Sequence, residues 1–394
     1  MKVLHALESY LPVSENWIYP QITRPRGTTP AVLCAELHNL DLFPLNGAPR
    51  FLDPPPWSAG LGIPRLINSL AFRLGGRGTV VAGAAARRWK PDLIHAHFGM
   101  RGWQMLGLHR KLGVRLLTSF YGLDAWQLPH SSQLWRDRFA ELFAEGDAFL
   151  AEGPAMGARL AAIGCPPERI QVARLGVDCA ALPFDRKEFS APLRVLMMAR
   201  FIEKKGLCDG LRACAEAVRM GANLEVTLIG GATPRSAAGE RIEAELREIA
   251  ASDALRGRVR FEGFLKPLQA RELLRKADIF LCPSKHAADG DAEGGSPLAL
   301  TEAMALGLLC IGTRHCDIPE VIRHEQTGYV AESGDIAGLA ALLVRAADEP
   351  ENSQALCVQG RAHIEAHFST AEQVLELERI YGRLAPGGSA PQPC

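Results

Sequence analysis

The feature that most constrains the fold is an alternation of short β-like runs with helical stretches along nearly the whole chain. Such an order is typical of parallel sheets covered by helices. Twelve strands are more than one ordinary sheet of this kind holds, so we expect two sheets. The predicted strands are residues 2–7, 31–36, 92–97, 114–119, 147–151, 170–174, 193–199, 224–229, 258–262, 278–282, 308–312 and 328–331. The predicted helices include residues 154–163, 206–220, 239–251, 267–276, 297–306, 335–347 and 353–366.

A domain boundary is predicted near residues 183–192, a charged segment flanked by prolines that precedes a strong strand. The sequence therefore predicts an α/β protein with two doubly wound, Rossmann-like domains facing each other across a cleft. Ligands of such sheets bind beyond the carboxyl ends of the strands. The proline-rich residues 39–64 are predicted to form a long loop of the first domain. The expected division is 1–188 for the first domain, 189–367 for the second, 368–384 for a C-terminal helix and 385–394 for a disordered tail.

Charge and hydropathy exclude several classes of protein. The formal net charge is zero, so nothing in it favours nucleic acid binding. Apolar runs are all shorter than the roughly 20 residues that span a bilayer, and the first residues are predicted to be a strand rather than a signal peptide. The ten cysteines form no C-x-x-C pair, which indicates reduced thiols in a cytoplasmic protein.

The most informative motif is an acidic, glycine-rich loop that leads into an apolar helix, residues 289–307. Ser296 is predicted to cap that helix, with Pro297 at its first position. A helix start collects unpaired N–H groups and the positive end of the dipole, so it attracts an anion such as phosphate. Glu302, among apolar neighbours, needs a polar partner, and sugar or ribose hydroxyls would supply one. The combination predicts a nucleotide-sugar pocket.

A second motif places cations after the first strand of the second domain. Arg200 and Lys205 lie in a turn that ends at Gly206. Preorganised positive charge there would neutralise a diphosphate leaving group. A solvated basic turn is the alternative for this segment taken alone.

Together these motifs resemble the retaining glycosyltransferases of family four, which have the GT-B fold. The resemblance is carried by the Arg-x4-Lys-Gly pattern at Arg200–Gly206 and by the Glu-Gly…Pro…Glu-Ala-Met-Ala-x-Gly pattern at Glu293–Gly307. Residues 315–322 are similar to the motif that follows this helix in a bacterial exopolysaccharide and colanic-acid-like branch. The resemblance implies that the C-terminal helix crosses back onto the first domain.

The resemblance also implies roles for matching residues. Arg200 and Lys205 would hold the donor diphosphate, and Glu302 would bind the ribose hydroxyls. Glu293 would lie against the donor sugar. The remaining donor-binding residues would be Gly263, Phe264 and Leu265 near the base, and Gly294, Gly295, Ser296, Pro297, Leu298 and Ala299 around the sugar and phosphate.

The acidic loop departs from the family in its spacing. Eight residues separate Glu293 from Glu302, where the family usually has seven. The sugar contact therefore falls either to Glu293 or to the Gly294–Gly295 backbone. Asp289 and Asp291 have the form of a D-x-D metal motif, but they precede the Glu-Gly loop, and no metal or other cofactor is expected.

The first domain offers polar residues at the ends of two predicted strands. His95 and His97 alternate with apolar residues and so share one strand face. His97 is predicted to contact a sugar, and packing is expected for His95. Tyr121 stands where many family members have histidine, and Asp124 would orient it or bind acceptor hydroxyls. On the acceptor side, Ser14, Glu15 and Asn16 resemble a Ser-Glu segment of the same branch, with a helix-capping turn as the alternative.

The resemblance implies an enzyme that transfers a hexose, with retention, from a nucleotide diphosphate sugar to a saccharide or polyprenyl-linked acceptor. A UDP-sugar is favoured, a GDP-sugar is next, and peripheral contact with the inner membrane is expected. Two alternatives remain open: a GT-B nucleotide-sugar epimerase, and a catalytically silent sugar-nucleotide-binding subunit of a polysaccharide assembly complex.

Overall fold

The computed structural model describes residues 1–12, 15–53, 66–67, 70, 80–234 and 236–386. The described chain divides into two compact units. The first comprises residues 1–174 and 370–394, and the second comprises residues 175–369. The division falls between Arg174 and Leu175, earlier in the chain than the predicted boundary near residues 183–192. Asp185 N–H donates to the Leu306 carbonyl at 3.1 Å, so that charged segment packs within the second unit.

The first unit is built on a parallel sheet of seven strands in the described residues. Their spatial order is β5-β3-β1-β6-β7-β8-β9, and a short parallel pair, β2 and β4, lies outside that sheet. The strands are β1 Lys2–Ala6, β2 Ser9–Tyr10, β3 Thr29–Cys34, β4 Glu36–Leu37, β5 Arg50–Leu52, β6 Leu93–His97, β7 Arg115–Ser119, β8 Ala148–Ala151 and β9 Ile170–Val172. The helices of this unit are Ile18–Thr23, Val80–Trp89, Gly99–Leu112, Gln127–Ser131, Gln133–Glu145, Pro154–Ala162 and Thr370–Leu384.

The second unit contains a parallel sheet of six strands in the order β12-β11-β10-β13-β14-β15. The strands are β10 Leu193–Met198, β11 Leu224–Ile229, β12 Val259–Gly263, β13 Ile279–Cys282, β14 Leu309–Thr313 and β15 Tyr329–Ala331. The helices are Leu207–Arg219, Ala237–Ala250, Pro267–Lys276, Leu298–Ala305, Ile318–Val321, Ile336–Asp348 and Pro350–His367. The central strands of both sheets are mostly buried, as expected for sheets covered on two faces, and in the first sheet the buried residues include His5, His95 and His97.

The strand order reverses once in each sheet, and these reversals position the candidate sites. In the first unit it reverses between β1 and β6, and in the second between β10 and β13. The carboxyl ends of strands beside such a reversal leave a crevice where ligands bind in open α/β sheets. The prediction of two Rossmann-like halves is therefore confirmed.

The C-terminal helix Thr370–Leu384 packs in the first unit, although it follows the second unit in the chain. Leu377, Ile380 and Tyr381 are buried against Val3 and Leu93 of the first sheet. The predicted return of this helix to the first domain is confirmed. The tail 387–394 and the part of the proline-rich segment at 54–64 lie outside the described residues. The described part of that segment includes β5 rather than loop alone.

Candidate functional site

Residues predicted to bind the donor lie at the carboxyl ends of β10 and β13 in the second unit. Arg200 and Lys205 follow β10, and Ser284 and Lys285 follow β13. The Lys285 N–H donates to the Lys204 carbonyl at 2.8 Å, which joins the two strand-end loops. The basic turn and the β13 loop therefore meet at the reversal point of this sheet.

Gly206 is required for that meeting. Its φ is +61°, and a Cβ there would lie 1.8 Å from the Pro283 carbonyl oxygen. Only a residue without a side chain permits this approach of two backbones. Steric exclusion of a side chain therefore explains why glycine occupies position 206 in the Arg-x4-Lys-Gly pattern.

Two consecutive lysines hold the acidic loop. Lys204 is buried, and its Nζ donates to Asp291 Oδ1 at 3.0 Å and to the Ala292 carbonyl at 2.9 Å. Lys205 Nζ donates to both carboxylate oxygens of Glu293, at 2.8 and 2.9 Å. Lys204 was not singled out from the sequence, yet its buried ammonium group binds the acidic loop at Asp291 and Ala292.

Glu293 is buried and fully engaged. Ser284 Oγ donates to Glu293 Oε1 at 2.8 Å, and the Glu293 N–H donates to His315 Nε2 at 3.3 Å. Burial acts to raise the pKa of Glu293, but the charges of Lys205 and Lys204 and the hydrogen bonds from Lys205 and Ser284 hold that pKa below its usual value. Glu293 is therefore ionised, and Lys205 and Ser284 already use much of its capacity to accept hydrogen bonds.

Asp289 and Asp291 are occupied within the loop. Asp291 Oδ1 accepts from Lys204 and from the Ala292 N–H at 3.0 Å, while Asp289 Oδ1 accepts from the Asp291 N–H at 3.0 Å. Both aspartates of the D-x-D form therefore accept hydrogen bonds from the protein, Asp289 from the loop backbone and Asp291 from the backbone and Lys204.

The helix after the glycine loop begins one residue later than predicted. It spans Leu298–Ala305, with Pro297 in the capping position in an extended conformation. Ser296 is therefore not the cap, and the Pro297 carbonyl instead accepts from the Leu300 N–H at 2.9 Å. Proline has no N–H to offer a capping side chain, and its fixed φ suits either position.

This arrangement leaves a series of backbone N–H groups available. Within the described residues, no hydrogen bond is made by the amides of Gly294, Gly295, Ser296, Leu298 or Ala299. Amides at a glycine loop and helix start can bind a phosphate oxygen. Arg200 is exposed, and no ion pair of its guanidinium occurs among the described residues.

Glu302 lies in the same helix and has a protein partner. Its Oε1 is 3.8 Å from an Arg271 guanidinium nitrogen, and its side chain is 22% exposed. Burial raises the pKa of Glu302, and the Arg271 charge opposes that rise. Arg271 therefore supplies a charged partner for Glu302 that the sequence analysis did not foresee.

Gly263, Phe264 and Leu265 form the end of β12 and the turn after it. Gly263 has a φ of +66°, and its carbonyl accepts from the Gly230 N–H at 2.8 Å. Phe264 is 63% exposed, and its ring lies where a Gly231 side chain would begin, 3.1 Å from the built Cβ. Leu265 packs against the core. Phe264 therefore presents an aromatic ring at the carboxyl edge of the sheet.

In the first unit, three histidines cluster at the reversal between β1 and β6. His5 and His95 are partners in register on these strands. His97 Nε2 is 3.2 Å from His5 Nδ1, and His95 contacts Ser119 Oγ and the Tyr381 hydroxyl, each at 2.7 Å. Burial lowers the pKa of all three, that of His5 to about 3, so they are neutral near pH 7.

The nitrogens of these histidines lie within 4.8 Å of one another, a spacing that a metal ion could also use. Both nitrogens of His95 and of His97 already have hydrogen-bond partners. The cluster is therefore satisfied as a neutral network. The predicted packing role fits His95, whereas His97 is fully buried and contacts the partly exposed Tyr121 through its Nδ1.

Tyr121 and Asp124 have distinct positions. The Tyr121 hydroxyl is 2.7 Å from His97 Nδ1, and its ring is half-buried. Asp124 is buried and accepts from the Gly99, Tyr121 and Gly122 N–H groups, at 2.8, 3.0 and 3.1 Å. Asp124 thus orients the Tyr121 turn through the backbone, and both of its carboxylate oxygens already accept hydrogen bonds. Burial raises its pKa to about 6, against these three hydrogen bonds.

The acceptor-side segment forms a turn before the helix Ile18–Thr23. Ser14 lies outside the described residues. The Glu15 N–H donates to the Pro12 carbonyl at 2.9 Å, and the Asn16 carbonyl accepts from the Tyr19 N–H at 3.1 Å. Asn16 is exposed, and Trp17, which the sequence did not single out, follows it at the helix start.

Comparison with known proteins decides the family. The family model described as Glycosyltransferase Family 4 matches residues 32–181, and that described as Glycosyl transferases group 1 matches residues 181–363. The amylovoran biosynthesis glycosyltransferase AmsK of Erwinia amylovora is 33% identical over 309 residues, which are 77% of this chain and 73% of that protein. This chain is a family-four glycosyltransferase.

A second relative and two solved structures agree with that assignment. The putative colanic acid biosynthesis glycosyltransferase WcaL of Escherichia coli K12 is 31% identical to this glycosyltransferase, over 76% of its chain and 72% of WcaL. These relatives identify the exopolysaccharide branch. Anabaena HepE, solved with UDP and glucose, has a TM-score of 0.76 at 17% identity, covering 98% of this chain and all of HepE. Sucrose-phosphate synthase from Thermosynechococcus elongatus has a TM-score of 0.75 at 16% identity, covering 98% of this chain and 99% of that one. The GT-B fold is thus confirmed.

Among the described residues of this glycosyltransferase, no helix is both long enough and apolar enough to cross a bilayer.

Proposed function

We propose that this glycosyltransferase moves a hexose from a nucleotide diphosphate sugar to a saccharide or lipid-linked saccharide acceptor during exopolysaccharide synthesis, with retention at the anomeric carbon. The observation that carries the proposal is the set of available amides of Gly294, Gly295, Ser296, Leu298 and Ala299, beside a loop anchored by Lys204 and Lys205. Such a site suits a diphosphate, because several donors and a helix start converge on one anion.

Departure of the nucleoside diphosphate develops negative charge, and the site offers three sources of stabilisation. Arg200 is exposed and free to approach a phosphate, Lys205 lies at the same turn, and the helix start supplies amides. Charges held in place before the reaction cost no reorganisation during it. We propose that these groups replace a metal ion in this role.

The anomeric carbon develops oxocarbenium character as the leaving group departs. Glu293 is too closely held by Lys205 and Ser284 to act as a free nucleophile. We therefore propose a same-face substitution, in which the leaving phosphate oxygen takes the proton of the attacking acceptor hydroxyl. Glu293 and the Gly294–Gly295 backbone would orient the sugar hydroxyls.

A uridine nucleotide is the favoured donor. HepE, which shares this fold, was solved with UDP and with UDP-glucose. A GDP-sugar is next, since a GDP-mannose-dependent mannosyltransferase of Corynebacterium glutamicum is 28% identical over 171 residues. In either case Phe264 offers an exposed ring for the base, and Glu302 a carboxylate for the ribose hydroxyls. A lipid-linked acceptor would bring the enzyme to the cytoplasmic face of the inner membrane.

The test is a thermal-shift screen against UDP, GDP, ADP and dTDP, followed by transfer assays with the sugar nucleotide of the base that binds. Ligand binding to the native state raises its apparent stability. Glu302→Ala should abolish most of the shift, whereas Glu332→Ala, which removes an exposed carboxylate, should retain it. No shift with any of the four nucleotides would overturn the proposal, and donor epimerisation without acceptor would favour the epimerase.

A further inference from the structure

The segment that follows β14 lies against the loop from Ser284 to Glu293 in the second unit. Thr313, the last residue of β14, donates through its hydroxyl to the Ser284 carbonyl. Two residues later, His315 Nε2 accepts from the Glu293 N–H at 3.3 Å. Both Thr313 and His315 are buried. The segment therefore holds this loop at its first and at its last residue.

Neighbouring side chains fix the His315 ring. The ring centroid of His286, which belongs to the same loop, lies 4.7 Å from that of His315 with an interplanar angle of 81°. Cys316 Sγ lies 3.4 Å from His315 Nε2, and the Cys316 backbone has a φ of +45°, in the left-handed region. His315 is only 2% exposed. The imidazole thus contacts the loop and does not reach a ligand itself.

The protonation state of His315 matches this contact. Burial lowers the pKa of His315 to about 4, against the opposing charge of Glu293. The ring is therefore neutral near pH 7. A neutral imidazole can accept a hydrogen bond at one nitrogen, whereas an imidazolium only donates. The Glu293 N–H thus has a buried acceptor that needs no change of protonation.

His315 binds the backbone of Glu293, while other residues bind its side chain. Lys205 and Ser284 donate to the carboxylate, and these bonds leave the direction of the following peptide units open. Gly294 and Gly295 come next, and glycine has the widest choice of backbone conformation. A run of amides that begins with two glycines therefore needs a contact that fixes the backbone before it. Among the described residues, the bond from the Glu293 N–H to His315 is that contact.

We propose that His315 is a positioning residue for the donor diphosphate. Its imidazole holds the backbone at Glu293 and so directs the available amides of Gly294 and Gly295 toward a phosphate. This role deepens the proposed function and rests on it. It also gives a use to the first residue of segment 315–322, whose similarity to the exopolysaccharide branch had implied no role in donor binding.

The experiment compares three substitutions of His315 in the full chain. His315→Gln keeps an acceptor at about the reach of Nε2, His315→Asn carries the same amide on a chain that is one methylene shorter, and His315→Leu has no acceptor. His363→Leu is the matched control, because His363 is also buried in the second unit and its Nε2 lies 2.8 Å from the Glu320 carbonyl. Melting temperatures report the folding of every variant.

Two measurements separate positioning from a general loss of stability. Calorimetry gives the affinities for UDP and GDP, and ligand-observed NMR gives those for uridine and guanosine, which lack the diphosphate. Hydrogen–deuterium exchange of the free protein, with fragmentation that resolves single amides, gives the protection of the Glu293 N–H. A residue that acts only on the diphosphate should change nucleotide affinity and leave nucleoside affinity unaltered.

The expected result is diphosphate affinity about tenfold weaker in His315→Leu and His315→Asn, with faster exchange of the Glu293 amide. His315→Gln should stay close to the wild type in both measurements, and nucleoside affinity should be the same in all variants. His363→Leu should lose stability but keep nucleotide affinity and Glu293 protection. If His315→Leu does not fold, the comparison of His315→Gln with His315→Asn decides.

Three outcomes would overturn the role of His315. They are wild-type diphosphate affinity in His315→Asn, equal losses in His315→Gln and His315→Asn, and a parallel loss of nucleoside affinity. A wild-type protein that binds neither UDP nor GDP would instead refute the proposed donor function. The exchange rates of the Glu293 amide would still show in that case whether His315 holds the loop.

Discussion

Lys205 holds both carboxylate oxygens of Glu293, with its Nζ at 2.8 and 2.9 Å from them. Glu293 is 5% exposed, so its charge depends on this partner. The pair links the two motifs that identify the family, the basic turn after β10 and the acidic loop before the helix Leu298–Ala305. If Lys205 binds the diphosphate and Glu293 the sugar, as proposed above, this ion pair would couple the two contacts.

Lys205→Met should destabilise the second unit by about 3 kcal/mol near pH 7, because removing one partner leaves a buried charge. In the wild type the lowered pKa of Glu293 contributes stability above the unfolded pKa of about 4.3, and that stability is lost as pH falls through the folded pKa. In the variant, burial raises the pKa, so protonation becomes favourable at higher pH. Urea unfolding from pH 4 to 8 should show the gap between the two proteins narrowing as pH falls. Lys205→Met/Glu293→Gln should recover part of the loss; a gap that is constant with pH would contradict the pairing.

Arg200→Ala should separate activity from stability. The side chain is exposed, so stability should change by no more than about 0.5 kcal/mol. Transfer should fall at least tenfold, equivalent to about 1.4 kcal/mol of barrier. Arg219→Ala, which removes an exposed arginine paired with Glu216, is the control and should leave the rate unchanged. Equal rates for Arg200→Ala and wild type would remove Arg200 from the diphosphate site.

Glu302 should give donor binding a pH dependence. Its pKa is raised by burial, and the carboxylate accepts from ribose hydroxyls more strongly than the neutral acid does, so nucleotide affinity should weaken as pH falls, beginning above the range of an ordinary glutamate. Glu302→Gln should bind the nucleotide at least tenfold more weakly and lose the pH dependence. Arg271→Ala should move the midpoint to still higher pH, since the Arg271 charge opposes the rise. Calorimetric titrations between pH 5 and 8 measure all three; an identical profile in Glu302→Gln would exclude this role.

Gly206→Ala should disrupt the junction of the two strand-end loops. The added Cβ would lie 1.8 Å from the Pro283 carbonyl oxygen, and the φ of +61° is itself unfavourable. The expected loss is about 3 kcal/mol or more in unfolding free energy, with weaker nucleotide binding. Gly257→Ala is the matched control, because Gly257 has a φ of +77° and open space around the built Cβ. If both variants lose the same unfolding free energy, the backbone conformation explains why position 206 requires glycine, and the contact with Pro283 does not.

Tyr381→Phe should test the attachment of the C-terminal helix. The Tyr381 hydroxyl contacts buried His95 at 2.7 Å, so its removal leaves an imidazole nitrogen unpaired at a cost of about 1–3 kcal/mol. Tyr329→Phe, which removes a partly buried bond to Asn352, should cost less. The urea midpoint of each variant is the measurement. Equal shifts would show that the Tyr381–His95 contact stabilises the protein no more than the Tyr329–Asn352 contact does.

Much of the fold could be predicted, because buried parallel strands are continuous apolar runs bounded by polar turns. β10, β11 and β13 match their predictions within one residue at each end. The ladder of β2 and β4 was missed, since two-residue strands leave no period to detect. The helix Gly99–Leu112 was missed as well, because its glycines at 99, 102 and 107 lower helix propensity, and Gly99 and Gly102 serve close packing on Phe120 and Thr118.

The candidate site was predictable where a motif is local. Arg200, Lys205, Glu293 and Glu302 lie in two short segments, and both segments meet at one sheet edge. Contacts between distant segments leave no pattern in the local sequence and were not predicted. They are the contacts of Lys204 with Asp291, of Ser284 and His315 with Glu293, and of Arg271 with Glu302. Only the strand order, with β13 beside β10, brings them together.

The second unit is one uninterrupted stretch of chain whose first and last residues are neighbours. The Val177 N–H donates to the Phe368 carbonyl at 2.8 Å, and Val177 pairs with Ser369 in a parallel bridge. Two cuts in the gene, close to codons 175 and 369, would therefore excise the whole second unit and leave two adjoining ends to receive another. Recombination at these two points would exchange the second unit as a block while the first unit is inherited unchanged.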